Sequence, residues 1–182
     1  MTERMVALLR GINVGKAKRV AMADLRDLLT DLGYTDVRTH LNSGNAIFSS
    51  PPKLVKQANE RIQKAIAGQL KVDCAVVTRT ASQLTEALSN DPFGDLATDP
   101  SRYLIGFLSH ELGPAKAKAF EQRDFGEDQV RFGGPQAYLW CPGGINSSAL
   151  FKTNWMKELG VTLTTRNWTT VHKLVELAGN ES

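Results

Sequence analysis

The same order of strand, helix and turn patterns occurs twice in this sequence. This repeated order restricts the possible folds more than any other feature. An apolar run, Met5–Leu9, precedes a segment from Met22 with helical periodicity. Two short strand patterns joined by a turn follow, then a second helix pattern, then the apolar run Val72–Val77. This order, β-α-β-β-α-β, is that of a ferredoxin-like plait.

The second half repeats the order after a short helix, which the capping-box spacing of Thr80 and Gln83 predicts. Further strands are expected over 103–108, 129–132, 136–141 and 161–165, and further helices over 114–120, about 146–159 and from 168 onward. No residue-level repeat accompanies the repeated order. The sequence therefore predicts an α/β (α+β) protein of two packed plaits with a terminal helix. The first plait is expected over residues 1–79, and the second, with extra N- and C-terminal helices, over 80–182.

Composition and cysteine usage indicate a cytoplasmic protein. No apolar run approaches the roughly 20 residues needed to cross a bilayer, so no membrane partner is expected. Arg10 interrupts the first apolar stretch before it reaches the length of a signal peptide. Cys74 and Cys141 lie in apolar runs without metal-binding spacing, as in proteins of a reducing compartment.

Positive charge is concentrated in the first half. Residues 1–79 carry 13 Lys and Arg against 7 Asp and Glu, whereas residues 80–182 carry 9 against 12. This asymmetry points to an anionic partner for the first half. A solvated surface with uneven charge is the alternative, and net charge alone favours it.

The segment between the first strand and the first helix contains two glycines and four cations: Gly11, Gly15, Arg10, Lys16, Lys18 and Arg19. Glycine lets a backbone approach a ligand closely, and a helix N-terminus presents free N–H groups, so this layout can hold an anion. It is not a Walker loop, because three residues instead of four separate the two glycines and Ala17 follows the lysine.

Strand order in a plait brings a second segment to this loop. Strands one and two run parallel with strand three between them, so the end of strand one shares a sheet edge with the turn after strand two. Charge-assisted hydrogen bonds to phosphate or carboxylate are expected there. The candidate ligand-binding residues at this edge are Arg10, Gly11, Asn13, Gly15, Lys16, Ser43 and Asn45. In the alternative interpretation residues 42–45 only form a turn, and Arg10 and Asn13 satisfy loop carbonyls.

Arg166 and Asn167 complete the candidate set, where the last strand gives way to the last helix. Arg166 could face an anion beside the helix N-terminus. Alternatively, Asn167 caps the helix and Arg166 makes a structural contact between the plaits, which is the more usual role of such residues.

Three stretches in this order, Leu8–Gly15, Ser43–Phe48 and Thr165–Val171, resemble a widespread bacterial family, domain of unknown function 1697 (DUF1697). The resemblance implies two packed alpha-beta plaits, a soluble protein and no established activity. Members often carry a glycine where this chain has Lys16, so a backbone cradle here would be less flexible and more basic.

Anion binding is the leading prediction, with a phosphorylated small molecule, a nucleotide or an RNA backbone as the ligand. An uncharacterised enzyme is an alternative, with Arg10, Asn13, Asn45 and Arg166 orienting a substrate between the plaits. No cofactor or metal is predicted, since His40, His110 and His172 are scattered without ligand spacing.

A nucleic-acid module is a further alternative. Tyr103, Ile105 and Phe107 share a face of one expected strand, and Tyr138 and Trp140 share a face of its neighbour. Exposed aromatics on two central strands stack bases in the RNA-recognition fold. Packing of these aromatics in a core is the favoured alternative, and their exposure decides between the two.

Overall fold

The computed structural model describes residues 1–179 and divides the chain into two compact units. The first unit comprises Met1–Thr85 and the residues from Lys173 onward, and the second comprises Glu86–His172. Positions 180–182 of the predicted second plait lie outside the described residues. Within those residues, no helix combines the length and the apolar composition needed to cross a membrane.

The first unit contains a four-stranded antiparallel sheet. Its strands are β1 (Glu3–Leu9), β2 (Thr35–His40), β3 (Asn45–Ser50) and β4 (Val76–Thr80), and its two crossover helices are α1 (Met22–Asp31) and α2 (Ala58–Ala65). The spatial order is β2-β3-β1-β4, and every neighbouring pair is antiparallel. This is the ferredoxin-like plait that the order of segments predicts.

Strand alternation explains how the first sheet holds its helices. Met5, Ala7 and Leu9 project from one face of β1 into the cluster that contains Leu25 of α1 and Ile62 of α2. Burying one large apolar side chain of this kind contributes about 1.5–3 kcal/mol to stability. The sheet and both helices therefore form one core, and the loops at the ends of the strands are held by it.

The second unit contains another sheet with the same topology. Its strands are β5 (Tyr103–Leu108), β6 (Gln129–Gly133), β7 (Gln136–Trp140) and β8 (Leu163–Asn167) in the order β6-β7-β5-β8, all antiparallel. The other α-helices of the described residues, in both units, are α3 (Ala81–Ser89), α4 (Pro114–Glu121), α5 (Ala149–Lys152), α6 (Trp155–Leu159) and α7 (Trp168–Gly179). The prediction of two plaits with a terminal helix is confirmed.

The fourth strand begins later than the apolar run Val72–Val77 predicts. Val72 and Cys74 are buried, but β4 pairs with β1 only from Val76 onward. Lys71 has a left-handed backbone (φ +58°), and residues 72–75 have no regular secondary structure. Alternating apolar residues indicate burial on one side, and they do not require a hydrogen-bonded partner strand.

The single helix predicted from about residue 146 to 159 is also wrong, because the structure has two short helices there. Ser148 Oγ accepts a hydrogen bond from Phe151 N (3.4 Å) at the start of α5, and Asn154 Oδ1 accepts one from Lys157 N (3.0 Å) at the start of α6. Ser and Asn favour N-cap positions, so the second cap restarts the helix after a break.

Candidate functional site

The loop after β1 and the turn after β2 are in direct contact. We call residues 10–20 the cationic loop and residues 41–44 the β2–β3 turn. Asn13 Nδ2 donates to the Asn42 carbonyl at 2.7 Å. A Cβ added to Gly44 would lie 2.7 Å from Ile12 Cδ1, so the turn backbone packs against a buried side chain of the loop. The proximity that the strand order predicts is confirmed.

Asn13 holds the cationic loop in one shape. Its Nδ2 also donates to the Val20 carbonyl (2.8 Å), and its Oδ1 accepts from Val20 N (2.9 Å). Its backbone N–H donates to the Lys18 carbonyl (3.0 Å). Asn13 has φ +55°, a conformation that asparagine tolerates better than most residues. The interpretation of Asn13 as a partner for loop carbonyls is therefore correct.

Asn45 has a comparable role in the turn. It is fully buried, and its Nδ2 donates to the His40 carbonyl (2.7 Å) and to Ser43 Oγ (3.2 Å). The two asparagines thus use their side-chain amides to organise backbone, leaving the cationic side chains as the groups available to a ligand.

The cationic side chains of the loop are exposed and unpaired. Within residues 1–179, none of the four has an ion pair or a side-chain hydrogen bond: Arg10, Lys16, Lys18 and Arg19. Helix α1 begins just after them at Met22, and no side chain caps its N-terminus. Several unpaired cations at one site raise the local positive potential and attract anions.

An open cleft of about 370 Å³ lies beside the cationic loop, lined by Arg10, Gly11, Lys18, Asp73, Cys74 and Ala75. Arg10 N donates to the Ala75 carbonyl (3.0 Å), which joins the loop to the segment before β4. Burial raises the pKa of the Cys74 thiol; nearby Lys18 lowers it and Asp73 raises it by smaller amounts. The thiol is therefore protonated at neutral pH and is not an activated nucleophile.

Asp73 is the site residue that sequence reasoning missed. The candidate residues predicted at this edge include no carboxylate, yet Asp73 lines the same cleft as two cations. The predicted strand order already implies this position, because β4 runs antiparallel to β1 and therefore begins beside the end of β1.

Backbone strain is concentrated at the same site. Among the described residues, five other than glycine have positive φ, and three of them belong to the cationic loop or the β2–β3 turn: Asn13, Lys18 and Leu41. Leu41, at φ +61°, is an outlier for a bulky side chain. Such conformations cost on the order of 1–3 kcal/mol each and cluster at functional sites.

Arg166 and Asn167 belong to the second unit and have structural contacts there. Arg166 is 9% exposed on β8, and its Nη1 donates to the Thr165 carbonyl (2.8 Å). Asn167 Oδ1 accepts from Thr170 N (2.9 Å), so Asn167 is the N-cap of α7. The capping interpretation is confirmed for Asn167, and burial lowers the pKa of the Arg166 guanidinium to about 10.

The first unit contains a matching arrangement, of which the sequence predicted only the Thr80–Gln83 capping box, and that prediction is confirmed. Arg79 of β4 pairs with Val6 of β1. In the same way, Arg166 of β8 pairs with Ile105 of β5. Arg79 Nη1 donates to the Thr78 carbonyl (2.9 Å), and Thr80 Oγ1 accepts from Gln83 N (3.2 Å) to cap α3. The sequence pattern that the two units share is a Thr-Arg pair followed by a capping residue. This pattern is too short to be recognised as a repeat in a single sequence.

The aromatic face of the second sheet is not available to bases. Tyr103, Phe107 and Tyr138 are at most 2% exposed, and Trp140 is 7% exposed. Tyr103 stacks on Trp168 at 4.5 Å between ring centroids, and Tyr138 Oη donates to the Ala87 carbonyl (2.6 Å). The nucleic-acid interpretation of this sheet is therefore wrong.

Other features of the described residues offer less chemistry. A larger open cleft of about 460 Å³ lies at the opposite end of β1, and among its lining side chains only Glu3 and Lys56 are charged. No group of three or more His, Cys, Asp or Glu side chains in residues 1–179 is arranged to bind a metal ion. The cleft beside the cationic loop remains the best candidate site.

Comparison with known proteins agrees with this fold. No curated protein matches the chain. One solved structure, of the conserved bacterial protein SP0830 from Streptococcus pneumoniae, has a TM-score of 0.77 and 25% sequence identity, with 99% of this chain and 100% of that chain covered. A family model described as a protein of unknown function, DUF1697, matches residues 1–138, which include the cationic loop and the β2–β3 turn but not Thr165–Val171. The chain therefore belongs to the DUF1697 family.

Proposed function

We propose that the chain binds a small anionic ligand, bearing phosphate or carboxylate, in the cleft beside the cationic loop. The observation that carries the proposal is the set of four exposed, unpaired cations on a loop whose backbone Asn13 fixes by hydrogen bonds. A loop already ordered before binding loses less conformational entropy when the ligand arrives.

The residues of the site divide by role in this proposal. Arg10 and Lys18 line the cleft and supply charge-assisted hydrogen bonds to the anion. Lys16 and Arg19 raise the surrounding potential. The structural set, which shapes the loop and the turn, consists of Gly11, Asn13, Gly15, Ser43 and Asn45.

The size of the cleft favours a small ligand. A volume of about 370 Å³ is near the lower end of the usual range for small-molecule pockets, roughly 300–1,000 Å³. A phosphorylated small molecule or a nucleotide fits this class, and an RNA backbone offers the same phosphate group. In the enzyme alternative Asn13 and Asn45 orient a substrate, but their side-chain amides already hold backbone carbonyls.

Thermal unfolding with increasing phosphate or citrate tests the proposal. Ligand that binds only the folded state raises its stability by RT ln(1 + [L]/Kd), so the melting temperature should rise with ligand concentration. The double variant Arg10→Gln, Lys18→Gln should lose this rise and keep the unliganded melting temperature, because both side chains are exposed.

Lys64→Gln is the matched control, since Lys64 is an exposed lysine on α2 that does not line the cleft. It should keep the ligand-dependent rise. A double variant that responds to ligand as strongly as the unaltered chain would refute the assignment of the site.

A further inference from the structure

The cleft beside the cationic loop contains a carboxylate as well as cations. Asp73 is exposed and lines the cleft together with Arg10 and Lys18. Within the described part of the chain, Asp73 has no ion pair or side-chain hydrogen bond, and the two cations have none either. The cleft thus presents donors and an acceptor whose hydrogen-bonding capacity is not used by the fold.

The segment that carries Asp73 is joined to the cationic loop by a backbone hydrogen bond and to α2 by a side-chain hydrogen bond. Two residues further along the chain, Ala75 accepts from Arg10 N (3.0 Å), and Val76 N donates to Gln63 Oε1 (3.2 Å). Lys18 and Asp73 line the same cleft together with the buried Cys74, so both charges face one volume. A small ligand that occupies this cleft of about 370 Å³ can therefore contact both charges.

A carboxylate at an anion site discriminates among anions. It repels a ligand that offers only negative charge, and it accepts hydrogen bonds from a ligand that also carries O–H groups. Two cations against one carboxylate leave the lining of the cleft net positive, which favours a ligand with net negative charge over a zwitterion.

We propose that the cleft selects a sugar phosphate, whose phosphate pairs with Arg10 and Lys18 while a sugar hydroxyl donates to the Asp73 carboxylate. This inference rests on the proposed anion site and names the class of ligand that the site takes.

Isothermal titration calorimetry with ribose 5-phosphate and with inorganic phosphate tests the inference on the full chain. The unaltered protein should bind ribose 5-phosphate more tightly. Asp73→Ala should reduce the ratio of the two affinities about tenfold, the size expected for one hydrogen bond to a charged group. Its affinity for inorganic phosphate should stay the same or increase, because a repulsive charge is removed.

Asp27→Ala is the matched control, since Asp27 is an exposed aspartate on α1 that does not line the cleft. It should leave the ratio unchanged. If Asp73→Ala also leaves the ratio unchanged while both ligands bind, the inference is overturned and the anion site stands. If neither ligand binds the unaltered protein, the inference and the proposed function both fall.

Discussion

The side-chain amide of Asn13 donates a 2.7 Å hydrogen bond to the backbone carbonyl of Asn42, which ties the cationic loop to the β2–β3 turn. The same side chain closes the loop on itself through Val20 N and the Val20 carbonyl. One residue therefore fixes both the shape of the loop and its position against the turn. The cations of the loop depend on this support for their arrangement.

Asn13→Ala should lower the free energy of unfolding by about 2 kcal/mol or more, because it leaves two carbonyls and one N–H without their partner. Urea unfolding measures this change. Asn13→Gly removes the side-chain amide without straining the backbone, since glycine adopts the φ of +55° readily. This variant therefore measures the contribution of the side-chain hydrogen bonds alone. Equal stability of Asn13→Gly and the unaltered chain would show that the hydrogen bonds contribute little.

Gly44→Ala should destabilise the first unit by about 2–4 kcal/mol, because the new methyl group overpacks the contact and the backbone is left-handed. The added Cβ would meet Ile12 Cδ1 at 2.7 Å and Leu9 Cβ at 2.8 Å. Gly33→Ala is a close control, because Gly33 has the same φ of +93° and nothing within 4 Å of an added Cβ. Similar losses in the two variants would argue against tight packing between turn and loop.

Thr80→Ala and Asn167→Ala should each cost about 1 kcal/mol, the usual contribution of an N-cap side chain. Thr80 Oγ1 and Asn167 Oδ1 each accept from the backbone N–H three residues later. The exchange Thr80→Asn should retain most of the stability that Thr80→Ala loses, since both residue types cap helices well. Chemical denaturation followed by far-UV circular dichroism measures all three variants, and failure of Thr80→Asn would contradict an equivalent role.

Stability should decrease in alkaline solution partly through Cys141. Burial raises the pKa of this thiol from 9.0 to about 11, so the folded state keeps a proton that the unfolded state loses. A raised pKa contributes stability that is fully present below pH 9 and disappears as the pH approaches 11.

The stability difference between the unaltered chain and Cys141→Ala should therefore shrink by about 2–3 kcal/mol between pH 8 and pH 11, since one pKa unit corresponds to 1.36 kcal/mol. Urea unfolding at both pH values measures it. A difference that is independent of pH would mean that Cys141 titrates alike in both states.

Hydrophobic period and turn chemistry were sufficient to predict both sheets and the contact between the cationic loop and the β2–β3 turn. That contact follows from strand order alone, since β1 and β2 run parallel with β3 between them. The role of Asn13 could not be predicted from the sequence, because an asparagine between two glycines suits a ligand contact and a loop hydrogen bond equally well.

Asp73 and the break between α5 and α6 were not predicted for different reasons. The plait strand order already places residues 72–75 beside the end of β1, more than sixty positions earlier in the chain, but only the β2–β3 turn was inferred from it. The break depends on Asn154, whose capping preference competes with the helical period of its apolar neighbours. Only the break between α5 and α6 is thus decided by an interaction that competes with the sequence pattern.

The burial of Tyr103 and Tyr138 on one face of the second sheet, and of Leu104 and Leu139 on the other, has an evolutionary consequence. Strand positions there can change only to residues of similar volume. New ligand contacts in this half are therefore expected at the loops joining the strands, where insertions are tolerated.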